Sequence, residues 1–263
     1  MEKLHHELWL TQAVNALLGP LAAAILRLFG RPVPDPAHVI PDYLVMLIVF
    51  TVGLTAFALF VRARLSVENP GKLQVLLEDF VGVFHTLLTD FVGPKGLVYL
   101  PIVGSLFLLI WISNLAGLVP GFMAPTSNLN VTVGCALTVW VFYHVEGIRE
   151  QGVVAYFKHF AVPPGAPVAL APLMLPIELI GHLARVMSLS LRLFGNIFGE
   201  ELVILILFSI IPWLVPLPMM FLGLVTASLQ AFIFVLLTTI YLGGAVASSH
   251  EQEEHGEMAA GEV

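Results

Sequence analysis

Hydrophobic positions along this chain come in long unbroken runs, without the short apolar and polar alternation of a soluble core. Runs of about 20 residues or more, enough to cross roughly 30 Å of hydrocarbon, occur at Tyr43 to Val61, Leu97 to Val119 and, with its flanks, Val131 to Val145. Two longer ones follow, near Leu173 to Ile211 and Met219 to Val246. Such runs predict an all-α integral membrane protein with about five transmembrane helices.

Between the runs the pattern changes. Pro70 and Gly71 open a stretch in which Leu73, Leu76, Leu77, Phe80, Phe84 and Leu87 recur at helical spacing, and Gly93-Pro94 closes it. This predicts an amphipathic helix along the membrane surface. Ser113 to Phe122 reads as a turn ending the second span, and Ala124 to Thr132 opens the third with Asn128 or Asn130 as its cap. The first residues, MEKLHHELWLTQAVNALLGPLAAAILRLFG, lack the basic start and cleavage site of a signal peptide and read as an amphipathic helix lying in the interface.

The last two runs are too long for a simple crossing. Ile177 to Ile211 holds no proline over 35 residues, about 52 Å as helix at 1.5 Å per residue. That length must protrude or tilt by about 50°, against an ordinary tilt of about 20°. A shorter span preceded by a surface turn ending near Gly181 is the alternative. Because Met219 to Ala247 is also proline-free and over-long, two strongly tilted helices joined at Pro212 to Pro218 are the expected arrangement.

Composition agrees with a bilayer: 58% hydrophobic residues against 11% charged, and a mean hydropathy of +0.94. The organisation expected is an N-terminal interfacial segment over residues 1–40, a membrane domain over 41–247 and an acidic tail over 248–263. That tail carries five glutamates without a basic residue, so a solvated, disordered segment is expected. Arg62, Arg64, Lys72, Lys95, Arg149 and Lys158 fall in the loops after the first and third spans, and the alternate loops carry none. The basic loops therefore belong in the cytoplasm, which sets the N-terminus outside and the tail inside. Lys3, Arg27 and Arg31 lean the other way. One cysteine, Cys135, leaves no intramolecular disulfide to form.

Charge inside the fourth run changes the picture most. Glu178, His182, Arg185, Arg192, Asn196 and Gly199 are spaced by 4, 3, 7, 4 and 3 residues, which puts them on one helix face together with Ser188. An intramembrane arginine costs about 2.5–3.5 kcal/mol on insertion scales, so packing alone does not account for two. Arg185 can be satisfied internally or reach the interface. Arg192 is surrounded by Leu, Phe and Ile, with Glu200 two turns away and Glu201 on the opposite face, so its charge is expected to meet something outside this helix. An aqueous cavity on either side of Arg192 is the functional reading. Other chemistry finds no support: the tail HEQEEH is one residue too long for a zinc-protease motif, His5-His6-Glu7 reads as a surface pair, and no Walker loop or cysteine and histidine cluster occurs.

The strings SLSLRLFGNIFGEEL and LQAFIFVLLTTIYL, with NPGKLQ and PTSNLN, resemble subunit a of the F-type rotary ATP synthase, over about Asp42 to Leu242. The resemblance implies a non-catalytic stator subunit whose tilted helix pair lies against a rotating ring of c subunits, forming two offset half-channels for protons. Its other implied partners are the b-subunit peripheral stalk, the rest of the synthase and membrane lipid, in a bacterial inner membrane. No cofactor and no nucleic acid is implied. The family's indispensable arginine falls on Arg192, its polar neighbours on Asn196, Glu201 and Gln230, and its cytoplasmic-side glutamate on Glu178, beside which His182 stands. Two departures matter: Gly223 stands where many relatives have a histidine, and Gly117 where they have an aspartate. Glu200, next to Glu201, is the expected replacement acceptor on the extracytoplasmic side, with one proton shared because two adjacent carboxylates disfavour double ionisation. Gln230 is expected to hold the Arg192 side chain. An ion-coupled secondary transporter is the alternative; it lacks the inverted repeats and paired broken helices of such carriers.

Overall fold

The computed structural model describes residues 9–28, 30, 39–119, 122–161, 171–210 and 216–260. All regular structure among them is helical. Eight α-helices follow one another: α1 (Trp9–Leu28), α2 (Asp42–Ala63), α3 (Lys72–Val92), α4 (Leu100–Ala116), α5 (Leu129–Gln151), α6 (Val153–Ala161), α7 (Ala171–Ile210) and α8 (Pro216–Ala260). Short 3₁₀ turns at Pro94–Tyr99 and Pro125–Ser127 lead into α4 and α5.

Six helical segments are long and apolar enough to cross a membrane. Five coincide with the five runs of the sequence. The sixth, Leu10–Leu28, falls on the segment expected at the interface. It is the least apolar of the six and carries Pro20 inside the helix. Thr11, Asn15, Gly19 and Ala23, at four-residue steps, are its buried side. The Asn15 amide donates to the Ile40 carbonyl and accepts from the Ile40 N–H, each at 3.0 Å, which ties α1 to the chain entering α2.

Local chemistry explains the boundaries. Asn128 caps α5, its Oδ1 accepting from the Asn130 N–H at 3.0 Å, which decides between the two asparagines. Helix α3 closes at Gly93, whose φ of 90° is open to glycine, and Pro94 starts the next turn. The buried side of α3 differs slightly from expectation. Phe84 and Leu88 are its buried residues, and Leu73 and Leu76 are exposed because the packing stripe begins only after the first turn. Phe80, Phe84 and Phe107 stack at centroid distances of 4.9–5.3 Å.

The two long helices are continuous. Helix α7 runs 40 residues through Pro176 and Gly181, about 60 Å at 1.5 Å per residue, so no separate turn ends at Gly181. Pro176 is tolerated because it sits near the helix start. Helix α8 extends through the acidic tail to Ala260, where a disordered segment was expected. Its glutamates, Gln252, Met258 and alanines are good helix formers, and extending an existing helix avoids the nucleation cost. The corner residues 211–215 and the His5-His6-Glu7 stretch lie outside the described residues.

The chain forms two compact units: Met1–Leu65, Leu108–Val131 and Leu193–Ala231 in one, and Ser66–Phe107, Thr132–Arg192 and Phe232–Val263 in the other. Val45, Met46, Ile110, Leu193 and Ala231 are the core of the first, and Phe84, Val139, Tyr143, Phe234 and Leu242 that of the second.

Candidate functional site

In the first unit, α7 carries Asn196, Glu200 and Glu201 toward α8 and the end of α4. The Asn196 amide donates to Gln230 Oε1 at 2.8 Å, and Gln230 is buried at 3% exposure. The oxygen expected to hold Arg192 therefore has Asn196 as its partner.

The two glutamates turn to the two glycines. A Cβ built at Gly223 would collide with the Glu200 carboxyl and come within 2.8 Å of Leu118. The Glu200 side chain thus occupies the space that a larger residue on α8 would fill. At Gly117 a Cβ would lie 3.1 Å from Glu201 Oε1 and 3.0 Å from the Ala124 Cβ. The same Glu201 oxygen accepts from the Ala124 N–H at 3.2 Å. Glycine at 223 and 117 is therefore what admits two carboxyl groups here. A small cavity is lined by Asn114, Gly117, Glu200 and Glu201 on its polar side and by Leu118, Ile197 and Ile204 on its apolar side. Glu200 Oε2 is buried without a hydrogen-bond partner among the described residues. Buried carboxyl oxygens are costly unless bonded, so this atom is where a proton or a water has most to gain.

Asn114 fixes the frame of this cavity. Its Oδ1 accepts from Thr126 Oγ1 at 2.7 Å and its Nδ2 donates to the Ala227 carbonyl at 3.2 Å, joining α4, the turn before α5, and α8. Trp111 Nε1 donates to Ser228 Oγ at 2.9 Å one turn earlier. Sequence reading passed over Asn114, and the available signal was an amide buried at the end of an apolar run.

In the second unit, Glu178, His182 and Arg185 of α7 meet aromatic residues of α5, α6 and α8. His182 Nε2 lies 3.3 Å from Glu178 Oε1, and His182 Nδ1 lies 2.7 Å from the Tyr143 hydroxyl oxygen. The Arg185 guanidinium sits 5.2 Å above the Tyr241 ring and beside the Tyr143 oxygen. Among the described residues Arg185 is thus satisfied internally, by an aromatic face and a hydroxyl. His144 packs edge-on against His182 at 4.8 Å between centroids, with its Nδ1 2.9 Å from the Trp140 carbonyl. On α6, burial pushes the Tyr156 hydroxyl up to about 12, against the opposing pull of Arg185, so it stays neutral at physiological pH. Tyr143 and His144 come from a different apolar run, which is why α7 alone did not reveal them.

Arg192 contrasts with Arg185. It is exposed, and its hydrogen bond goes to Ser188 Oγ at a long 3.4 Å. Among the described residues no carboxylate pairs with it; the ion pairs found are Arg149 with Glu146 and His182 with Glu178. Leu191 and Met187 beside it are also exposed, and Gly195 and Gly199 leave open space on the helix. A permanent cation thus stands uncovered midway along a 39-residue apolar span.

Residues 43–243 match the model of the ATP synthase A chain family. The chain belongs to this family. It is similar to ATP synthase subunit a 2 of Syntrophotalea carbinolica, 46% identical over 213 residues, which is 81% of this chain and 87% of that protein. ATP synthase subunit a of Aliarcobacter butzleri is 46% identical over 199 residues, 74% of this chain and 86% of the relative, and that of Geotalea daltonii is 46% identical over 181 residues, 69% and 77%. The matched stretch spans α2 to α8 and leaves out α1 and the acidic end, the two parts where the sequence resemblance is weakest.

Proposed function

We propose that this member of the ATP synthase A chain family is the proton-conducting stator of the membrane sector, working against a ring of c subunits that carry the rotor carboxylates. The observation that carries the proposal is Arg192: charged at any physiological pH, exposed in mid-span, and held among the described residues by one long bond to Ser188. Such a group needs an anion from outside the chain. A rotor carboxylate supplies one when deprotonated and leaves when protonated.

Protons enter and leave by separate half-channels, with Arg192 between them along α7. The basic loops set the cytoplasmic side, and five crossings by α2, α4, α5, α7 and α8 put the two chain ends on opposite sides, N-terminus outside. Helix α1 lies in the interface, in keeping with Pro20 and its weaker apolar character. Helix α7 at about 60 Å crosses strongly tilted. It then runs from inside to outside, so Glu178 and His182 serve the cytoplasmic half-channel and Glu200 with Glu201 the extracytoplasmic one. Gly223 and Gly117 offer no titratable group. The two glutamates beside them take over, sharing one proton because both cannot be charged in so poorly solvated a place. Each proton that crosses releases about 2.3 kcal/mol per 100 mV, and a leak past Arg192 would waste it. Arg192, which never gives up its proton, blocks that leak and carries none itself. The chain performs no bond chemistry of its own; ATP is made on partner subunits.

Passive proton flux through vesicles stripped of the catalytic head tests the route. Glu200→Gln with Glu201→Gln is expected to lower flux by about 10²-fold, the usual contribution of a positioned proton-transfer group, and each single variant by less. Undiminished flux in the double variant would send the proton by another path.

A further inference from the structure

Tyr143 has no part in the route above, yet its side chain is 1% exposed and its hydroxyl oxygen lies 2.7 Å from His182 Nδ1. We propose that Tyr143 is a positioning residue for the cytoplasmic half-channel: it fixes the His182 ring so that Nε2–H points at Glu178, which takes up and releases the proton.

The inference rests on the reading that Glu178 and His182 serve that half-channel, and it adds the direction of the hydrogen bonds. Arg185 can only donate, and its guanidinium sits against the Tyr143 oxygen. That contact takes one of the two lone pairs of the phenol oxygen, and the direction of the next bond is set from the other end: an ionised Glu178 carboxylate only accepts, so it calls for the imidazole hydrogen. The ring hydrogen is then on Nε2, 3.3 Å from Glu178 Oε1, and Nδ1, left with its lone pair, accepts from the Tyr143 O–H at 2.7 Å. Donors therefore run in one direction, from Arg185 through Tyr143 and His182 to the Glu178 carboxylate.

The neighbouring rings have settled roles of their own. His144, the other imidazole against His182, has its own Nδ1 2.9 Å from the Trp140 carbonyl. A carbonyl only accepts, so His144 carries its hydrogen on Nδ1, opposite to His182. Tyr156 on α6 stays neutral, and Tyr241 on α8 presents its ring to Arg185. Glu178 is half-buried, so its outer oxygen is open to exchange with water while the inner one is held. The step is a simple proton exchange: the carboxylate gains a proton, releases it, and His182 stays neutral throughout.

The test uses the whole synthase with ¹⁵N-labelled histidine. His182 is isolated as the difference between the spectra of the parent and the His182→Gln variant. An Nε2–H ring in the parent is expected, and an Nδ1–H ring would overturn the inference without any variant at this tyrosine. Tyr143→Phe keeps the ring and its packing. It is expected to mix the two tautomers and to lower passive proton flux about three- to tenfold, the worth of one hydrogen bond. The double variant Tyr143→Phe with His182→Gln should be no slower than His182→Gln alone. Unchanged tautomer and flux in Tyr143→Phe would also overturn it. Failure of the underlying route shows separately, as undiminished flux in His182→Gln with the parent ring in the Nε2–H form.

Discussion

Two arginines seven residues apart on one helix have opposite environments. Arg185 lies over the Tyr241 ring and against the Tyr143 hydroxyl, so its charge is spent inside the chain. Arg192 is exposed and pairs with no carboxylate among the described residues. Substitution is therefore expected to give different results at the two positions. Arg185→Gln keeps an N–H for the Tyr143 oxygen and loses the cation over the ring, worth about 0.5–1 kcal/mol. Coupled ATP synthesis is expected to stay within about threefold of the parent. Arg192→Lys keeps the charge and loses the planar fork, and synthesis is expected to fall to background. Measuring ATP synthesis in inverted vesicles from both strains checks the pair; equal behaviour would remove the distinction. The glutamates follow the same logic of environment: Glu200 fits because position 223 has no side chain, and Glu201 because position 117 has none.

At the scale of elements, the register of α7 against α8 is fixed by the bond from Asn196 to Gln230 and by the Glu200 carboxyl over Gly223. Cysteines at 196 and 230 are expected to form a disulfide readily under mild oxidant, seen as a mobility shift on a non-reducing gel. Failure to cross-link would place the helices in another register. The helices themselves were legible in the sequence because hydropathy and the 3.6-residue period are local signals. So were a cap at Asn128 or Asn130, between which the structure chooses Asn128, and the break at Gly93-Pro94; that each glutamate faces one of the two glycines was not. Tyr143, His144 and Asn114 were not, since each becomes important only by meeting a residue from a different apolar run. The α1 segment sits near the boundary between a surface helix and a span, where length and composition give the same answer for both. The acidic end reads as disordered on charge density alone, whereas the helix propensity of its residues and the helix already leading into it carry α8 to Ala260.

For the whole molecule, the proposed function requires that the cavity at Glu200 and Glu201 and the cluster at Glu178 and His182 each reach a proton path and that a permanent cation separate the two paths. The cavity at Glu200 and Glu201 and the chain from Tyr143 to Glu178 are internal to their units, whereas Arg192 is exposed. Its removal should then leave folding and assembly intact, because Arg192 is exposed and, among the described residues, is held by one long bond to Ser188. The most direct measurement takes vesicles carrying Arg192→Ala and records ATP-driven acidification and, after the catalytic head is stripped, passive proton flux. The account predicts an assembled complex whose acidification falls to background, while passive flux stays at or above the parent level because the barrier to a leak is gone. Normal acidification would contradict it, and so would loss of passive flux in an assembled complex, which would make Arg192 part of the conducting path itself.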